Sequence, residues 1–182
     1  MADRRIDDVV RFWFEEIDQD AWFTKSDAFD TDLADRFSDL WAEAAGGGLD
    51  EWLATAKGRL ALILLLDQFS RNLNRGRPEA FAQDSRARAV ARQAIALGDH
   101  IHADANTCLF LFLPFEHSEA LADQDWCADL FMALGKSDWV EYAERHQVII
   151  KRFGRFPHRN EALGRNSTAE EKAFLKQPNS SF

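Results

Sequence analysis

Tyrosine, cysteine, methionine and proline are all scarce in this chain. Of 182 residues, one is Tyr, two are Cys, two are Met and four are Pro. Two cysteines make neither a disulfide framework nor a four-ligand zinc site. Cys108 and Cys127 stand beside Leu109 and Trp126 and read as reduced core residues. No apolar run approaches the ~18 residues needed to span a bilayer. The longest, Leu60 to Leu66, has seven. The start, Met-Ala-Asp-Arg-Arg-Ile-Asp-Asp, turns acidic at once and holds no apolar signal core, so a cytoplasmic protein is expected. Strand alternation is nearly absent. Also missing are a G-x-S-x-G elbow, a phosphate-cradling glycine loop, a dinucleotide fingerprint and an H-E-x-x-H pair.

What is present belongs to a folded protein. Apolar residues make up 46% and charged residues 29%, which excludes disorder on composition. Fifteen Phe and six Trp against a single Tyr point to a dry core, because Phe brings no hydroxyl that must be satisfied. The length suits one domain, residues 1–182. A net charge of −9 argues against nucleic acid and against anionic membrane surfaces as partners. That charge is uneven: residues 1–58 carry −9, 59–100 carry +3, 101–144 carry −8 and 145–182 carry +5. Opposite blocks can simply pack with complementary surfaces. Alternatively, the two basic segments meet at one cationic pocket.

Helical spacing dominates. Val9, Phe12, Trp13 and Ile17 follow a cap at Asp3. A helix from about Asp27 to Ala45 stops at three glycines, and a central one runs from about Gly58 to Asn74. Its first half is apolar all round, the mark of a buried helix. Helices are also expected over about Asp84–Leu97, Asn106–His117, Ser118–Leu134 and Asp138–Phe153. Pro114 should kink or end the second of these, since it cannot donate to the carbonyl of Phe110. Gly135 and Lys136 make a tight turn, so the last two should form an antiparallel hairpin. Thr168-Ala169-Glu170-Glu171 is a capping box opening a short final helix.

Four places concentrate chemistry. On the central helix, Asp67, Gln68, Arg71, Asn72 and Arg75 follow the leucine run. Asp67 and Arg71 are four apart on one face, as are Arg71 and Arg75. Asp67 can neutralise one arginine, leaving the other for a ligand carboxylate or phosphate. The plainer reading is a helix emerging into solvent with an ordinary ion pair. The second is Glu116 and His117 after Pro114, the third is His146 on an apolar stripe, and the fourth is Arg155, His158, Arg159 and Asn160 around Pro157. Imidazole titrates near neutrality, so these histidines are acid–base candidates; a satisfied core His146 and a structural plug at Phe156 are the plain alternatives. Metal ligands would have to come from far apart in sequence, and no metal or other cofactor is expected.

The strings FWF, LLDQFSRNLNRG, FLPFEHSE and RFGRFPHRNEALGRNSTAEE resemble a bacterial family known as domain of unknown function 924. The resemblance runs from Val9 to Phe182 and includes the Ser-Ser-Phe ending. It implies an all-α, tetratricopeptide-like stack of antiparallel helix pairs with about eight or nine helices, and polar strings that belong together. The family usually has Pro where this chain has Ser70, and bulkier residues at Leu73-Asn74. The expected function is a helical scaffold whose cationic pocket, with Gln68, Arg71, Asn72, Arg75, Arg155, Arg159 and Asn160, binds an anionic small molecule or peptide. A hydrolase or general acid–base enzyme using Asp67, Glu116, His117, His146 and His158 is the alternative. A partner-binding scaffold without a pocket is the third reading.

Overall fold

A computed structural model describes residues 3–178 and 180–181. The closing Phe182 of the family-like ending lies outside the described residues. Among the described residues there is no strand, and the chain is all-helical. It forms α1 (Arg4–Arg11), α2 (Asp27–Ala45), α3 (Ala56–Ile63), α4 (Ser70–Leu73), α5 (Asp84–Ala96), α6 (Ala105–Glu116), α7 (Leu121–Ala133), α8 (Ser137–Phe153) and α9 (Ala169–Phe174), with short π and 3-10 turns among them. Two compact units result: Met1–Arg75 with Glu79–Pro114, and Gly76–Pro78 with Phe115–Phe182.

In the first unit, helix ends follow local chemistry. The Asp3 carboxylate accepts from the Arg5 amide and Ser26 accepts from Phe29, satisfying donors that the first turns of α1 and α2 leave open. Helix α2 spans the expected residues and ends at Gly46. The central helix is less regular than its sequence predicts. Between α3 and α4, residues Leu64–Phe69 widen into a π-helical segment, and a second such segment, Phe12–Glu16, follows α1. π-Segments occur often at functional sites. Ser70 links this bulge to its surroundings: its hydroxyl accepts from Trp41 Nε1 at 2.8 Å and lies 3.3 Å from the Leu65 carbonyl, contacts that a proline could not make. The core is aromatic. Phe12, Phe37 and Phe69 contact one another with ring centroids 4.9–6.1 Å apart, and Trp13 packs on Phe69 and Phe110 at 5.5 Å. Helix α6 runs through Pro114 and ends two residues later, at Glu116, so the carbonyl deprived of a donor lies in the last turns.

In the second unit, α7 and α8 form the expected hairpin. Phe131 meets Trp139 edge-on at 5.7 Å, and Gln147 donates to Asp125 at 2.5 Å further along, as an antiparallel pair requires. Gly154, at φ 68°, ends α8 in the left-handed conformation that glycine adopts without strain. Phe156, fully buried, seals a core with Ile149 and Ile150. The capping box of α9 is complete: Thr168 accepts from the Glu171 amide at 3.1 Å, and Glu171 accepts from the Thr168 amide at 2.7 Å.

Candidate functional site

On the first unit, the polar half of the central helix is buried. Asp67 is 1% exposed, and Gln68 and Asn72 are buried beside it. Gln68 Nε2 donates to Asp67 Oδ2 at 2.6 Å. Arg71 lies between two carboxylates, with Nη1 3.0 Å from Asp67 Oδ1 and 3.0 Å from Asp84 Oδ1. Burial presses hardest against its charge, yet Asp67 and Asp84 outweigh burial and hold the guanidinium more firmly protonated than usual. Arg75 pairs with Asp30 of α2 and donates to Asn72 Oδ1. The carboxylates on these arginines therefore include Asp84 and Asp30, residues that no local spacing links to the central helix.

On the second unit, four of the five acid–base candidates gather. Glu116 and His146 are buried, with His146 Nδ1 3.6 Å from Glu116 Oε1. The same nitrogen lies 2.9 Å from the Tyr142 carbonyl. A carbonyl only accepts, so Nδ1 carries the hydrogen. The imidazole is pushed down to about 3. Burial is the main cause, the Tyr142 bond opposes it, and the charges of His117, Arg159 and His158 add to it. His146 is thus a neutral Nδ1–H tautomer at neutral pH. Its ring meets Phe156 edge-on at 5.7 Å, and the Arg159 guanidinium lies over Phe156 at 4.4 Å. His117 and His158 are half-buried.

The end of α6 is held by side chains that local sequence reasoning missed. Gln124 Nε2 donates to the carbonyls of Glu116, Ser118 (2.7 Å) and Phe115 (3.4 Å), and Arg159 Nη1 takes the His117 carbonyl at 3.0 Å. Glu119 receives the Phe156 amide at 2.8 Å and both Arg165 Nη groups at 2.8 and 2.9 Å. Burial raises the Glu119 carboxyl, and the Arg165 and Phe156 hydrogen bonds more than reverse it. Arg155 and Asn160 belong to the α9 cap: Arg155 forks onto Glu171 at 2.7 and 2.9 Å, and Asn160 Nδ2 donates to Ser167 at 3.0 Å. Glu171 is held at about 2, chiefly by Arg155 and the Thr168 amide. A polar residue inside a helix, such as Gln124, gives no periodic signal that separates a buried cap from a surface position.

A groove at the starts of α3 and α6, lined by Lys57, Leu60, His102 and Leu111, contains none of these candidates. Among the described residues, no group of three or more His, Cys, Asp or Glu could hold a metal ion, and no helix is long and apolar enough to cross a membrane.

A family model described as a bacterial protein of unknown function (DUF924) matches residues 9–179. The solved structure of a protein of unknown function from Agrobacterium tumefaciens is similar at 43% identity and a TM-score of 0.90, over 96% of this chain and 99% of that one. No curated protein matches.

Proposed function

Because the chain belongs to this bacterial family of unknown function, its role must be read from its own side chains, and we propose that the second unit binds an anionic small molecule or peptide carboxylate at Arg159, with His117 and His158 beside it. The Arg159 guanidinium, stacked over Phe156 with His117 and His158 near by, carries this reading. Beside it the His146 imidazole is kept neutral chiefly by burial, with Arg159 adding to the effect. The planar guanidinium of Arg159 suits carboxylate or phosphate, and Phe156 supplies an apolar wall beneath it. The half-buried His117 and His158 support access from solvent. Gln68, Arg71, Asn72 and Arg75 form a second polar cluster, on the first unit, where Asp67, Asp84 and Asp30 pair with the two arginines. Arg155 and Asn160 serve the α9 cap. The two buried thiols fit a reducing, cytoplasmic setting.

A general acid–base enzyme is the second reading, favoured by Glu116 lying 3.6 Å from His146. An imidazole pushed down to about 3 is a weak base at neutral pH, so this reading carries less far than the first. Thermal unfolding with orthophosphate, sulfate and acetate, at constant ionic strength, tests the anion reading. A ligand at 100 times its Kd adds about 2.7 kcal/mol. Arg159→Lys should abolish the response and Arg75→Lys should leave it. The reading fails if no anion stabilises beyond chloride, or if Arg159→Lys responds like the wild type.

A further inference from the structure

We infer that the groove at the starts of α3 and α6 is a separate binding site, for a small apolar monocarboxylate whose carboxylate meets Lys57 and His102 and whose hydrocarbon lies on Leu60 and Leu111. It stands apart from the reading at Arg159, because every residue lining it belongs to the first unit.

The groove measures about 330 Å³, within the range of small-molecule sites. An apolar cavity of about 150 Å³ holds benzene, so this one has room for a ring and a short chain. Its walls are aliphatic. Leu60 and Leu111 are buried side chains, and Ala56 and Ala103 bring only a methyl each. Hydrocarbon laid on these walls leaves water, which is the main source of affinity at such a site.

The polar lining selects the other end of the ligand. Asp99 is already engaged: Arg59 Nε and Nη2 hold its two oxygens at 2.6 and 2.7 Å, with neither side chain more than 9% exposed. Thr107 is engaged as well. Its amide and its hydroxyl each donate to Asp104 at 2.9 Å, which caps α6. Helix α3 is capped without a carboxylate. Its cap is the neutral hydroxyl of Thr55, and its first turn holds no acid but does hold Lys57. A lysine on the positive end of a helix favours an anion. Lys57 pairs with Asp7 of α1, yet both side chains are more than half exposed, and exposed pairs of this kind contribute little. A ligand carboxylate can therefore take the Lys57 ammonium at small cost while the groove takes its hydrocarbon. The exposed His102 imidazole donates a hydrogen bond whether neutral or charged.

Phenylpropionate, phenylpropanamide and phenylpropylamine share a ring and a short chain and differ in the end group: carboxylate, neutral amide or ammonium. Calorimetric titration of the full chain with each tests the assignment. Phenylpropionate is expected to bind at least about tenfold tighter than the amide, which is about 1.4 kcal/mol, with the amine weakest. Lys57→Gln should erase that preference. Ala103→Leu, which fills the groove, should weaken the acid and the amide alike. Arg159→Lys should bind phenylpropionate as the wild type does. The assignment is overturned if phenylpropionate fails to bind in the millimolar range, binds no tighter than the amide, or keeps its affinity in Lys57→Gln. Loss of binding in Arg159→Lys alone would place the acid on the second unit and overturn the groove as its site. Should Ala103→Leu fail to fold, Lys57→Gln decides, since it alters an exposed side chain.

Discussion

Replacing Gly58 with alanine sets two physical effects against each other at the base of the central helix. Gly58 lies in the first turn of α3, where its amide donates to Thr55 Oγ1 at 3.0 Å. On propensity, alanine should stabilise a helix by about 1 kcal/mol over glycine. Space argues the other way. A Cβ on Gly58 would stand 2.1 Å from the Trp52 carbonyl oxygen and 2.9 Å from Thr55 Oγ1. Carbon and oxygen normally approach no closer than about 3.3 Å, so the Asp50–Ala54 turn would have to retreat by more than about 1 Å. That turn cannot move alone. Trp52 is 1% exposed, its indole donates to Asp3 at 3.0 Å, and the Leu53 carbonyl receives Arg59 Nη1 at 2.6 Å. Overpacking costs about 1–3 kcal/mol or more, and here the obstruction is main chain rather than a side chain that can rotate. The steric effect wins, and Gly58→Ala should lose about 2 kcal/mol, or roughly 4–8 °C of Tm. Gly76→Ala is the comparison: at φ +72° with nothing within 4 Å of the added atom, it bears only the left-handed backbone penalty, about 1 kcal/mol. Urea and thermal unfolding of both variants check this. A Gly58→Ala protein as stable as the wild type would refute the reasoning.

The α9 cap gives a second prediction: Thr168→Ala should cost about 1 kcal/mol in urea unfolding. Glu171→Gln should destabilise at neutral pH. Glu171 is held at about 2 in the fold against about 4.5 when unfolded, so its contribution is whole above pH 4.5 and fades towards pH 2; urea midpoints of variant and wild type should converge there. His146 works with the same sign, because its folded value is depressed from 6.5 to about 3. Its stabilisation is whole above about pH 6.5 and is lost as the pH falls towards 3, so His146→Gln should show a shallower loss of stability between pH 7 and pH 4. Burial raises both thiols, that of Cys127 well above its ordinary value. A disulfide reagent at pH 8 should label neither cysteine in the native protein and both in denaturant; rapid native labelling would contradict their burial.

Helix type and many helix ends were legible from the amino acids because their causes lie within four residues. Ser26 and the three glycines bound α2, Thr168 and Glu171 open α9, and Gly135 and Gly154 bound α8. The burial of Phe12, Phe37 and Phe69 follows equally from apolar spacing. The π-segment at Leu64–Phe69 has no such local signal, since one added residue in a turn leaves the apolar pattern intact. Helix α6 runs through Pro114 for a related reason: a proline in the last turns loses one hydrogen bond, which flanking structure can tolerate.

The residues of the candidate site were readable, but their partners were not. Arg71 and Asp84 are 13 residues apart, Arg75 and Asp30 are 45 apart, and Arg159 and His117 are 42 apart. Arginine in a sequence carries the same charge whether it awaits a ligand or an aspartate on another helix. Packing makes that choice, and it turned Arg155 into part of a helix cap and Arg71 into the centre of a buried carboxylate pair. The same holds for His146, whose proton count depends on burial and on groups brought in from just after α6 and from the segment after α8. Periodicity and capping are short-range and belong to the chain; protonation and charge pairing depend on solvent exclusion and distance, which exist only once the helices have packed.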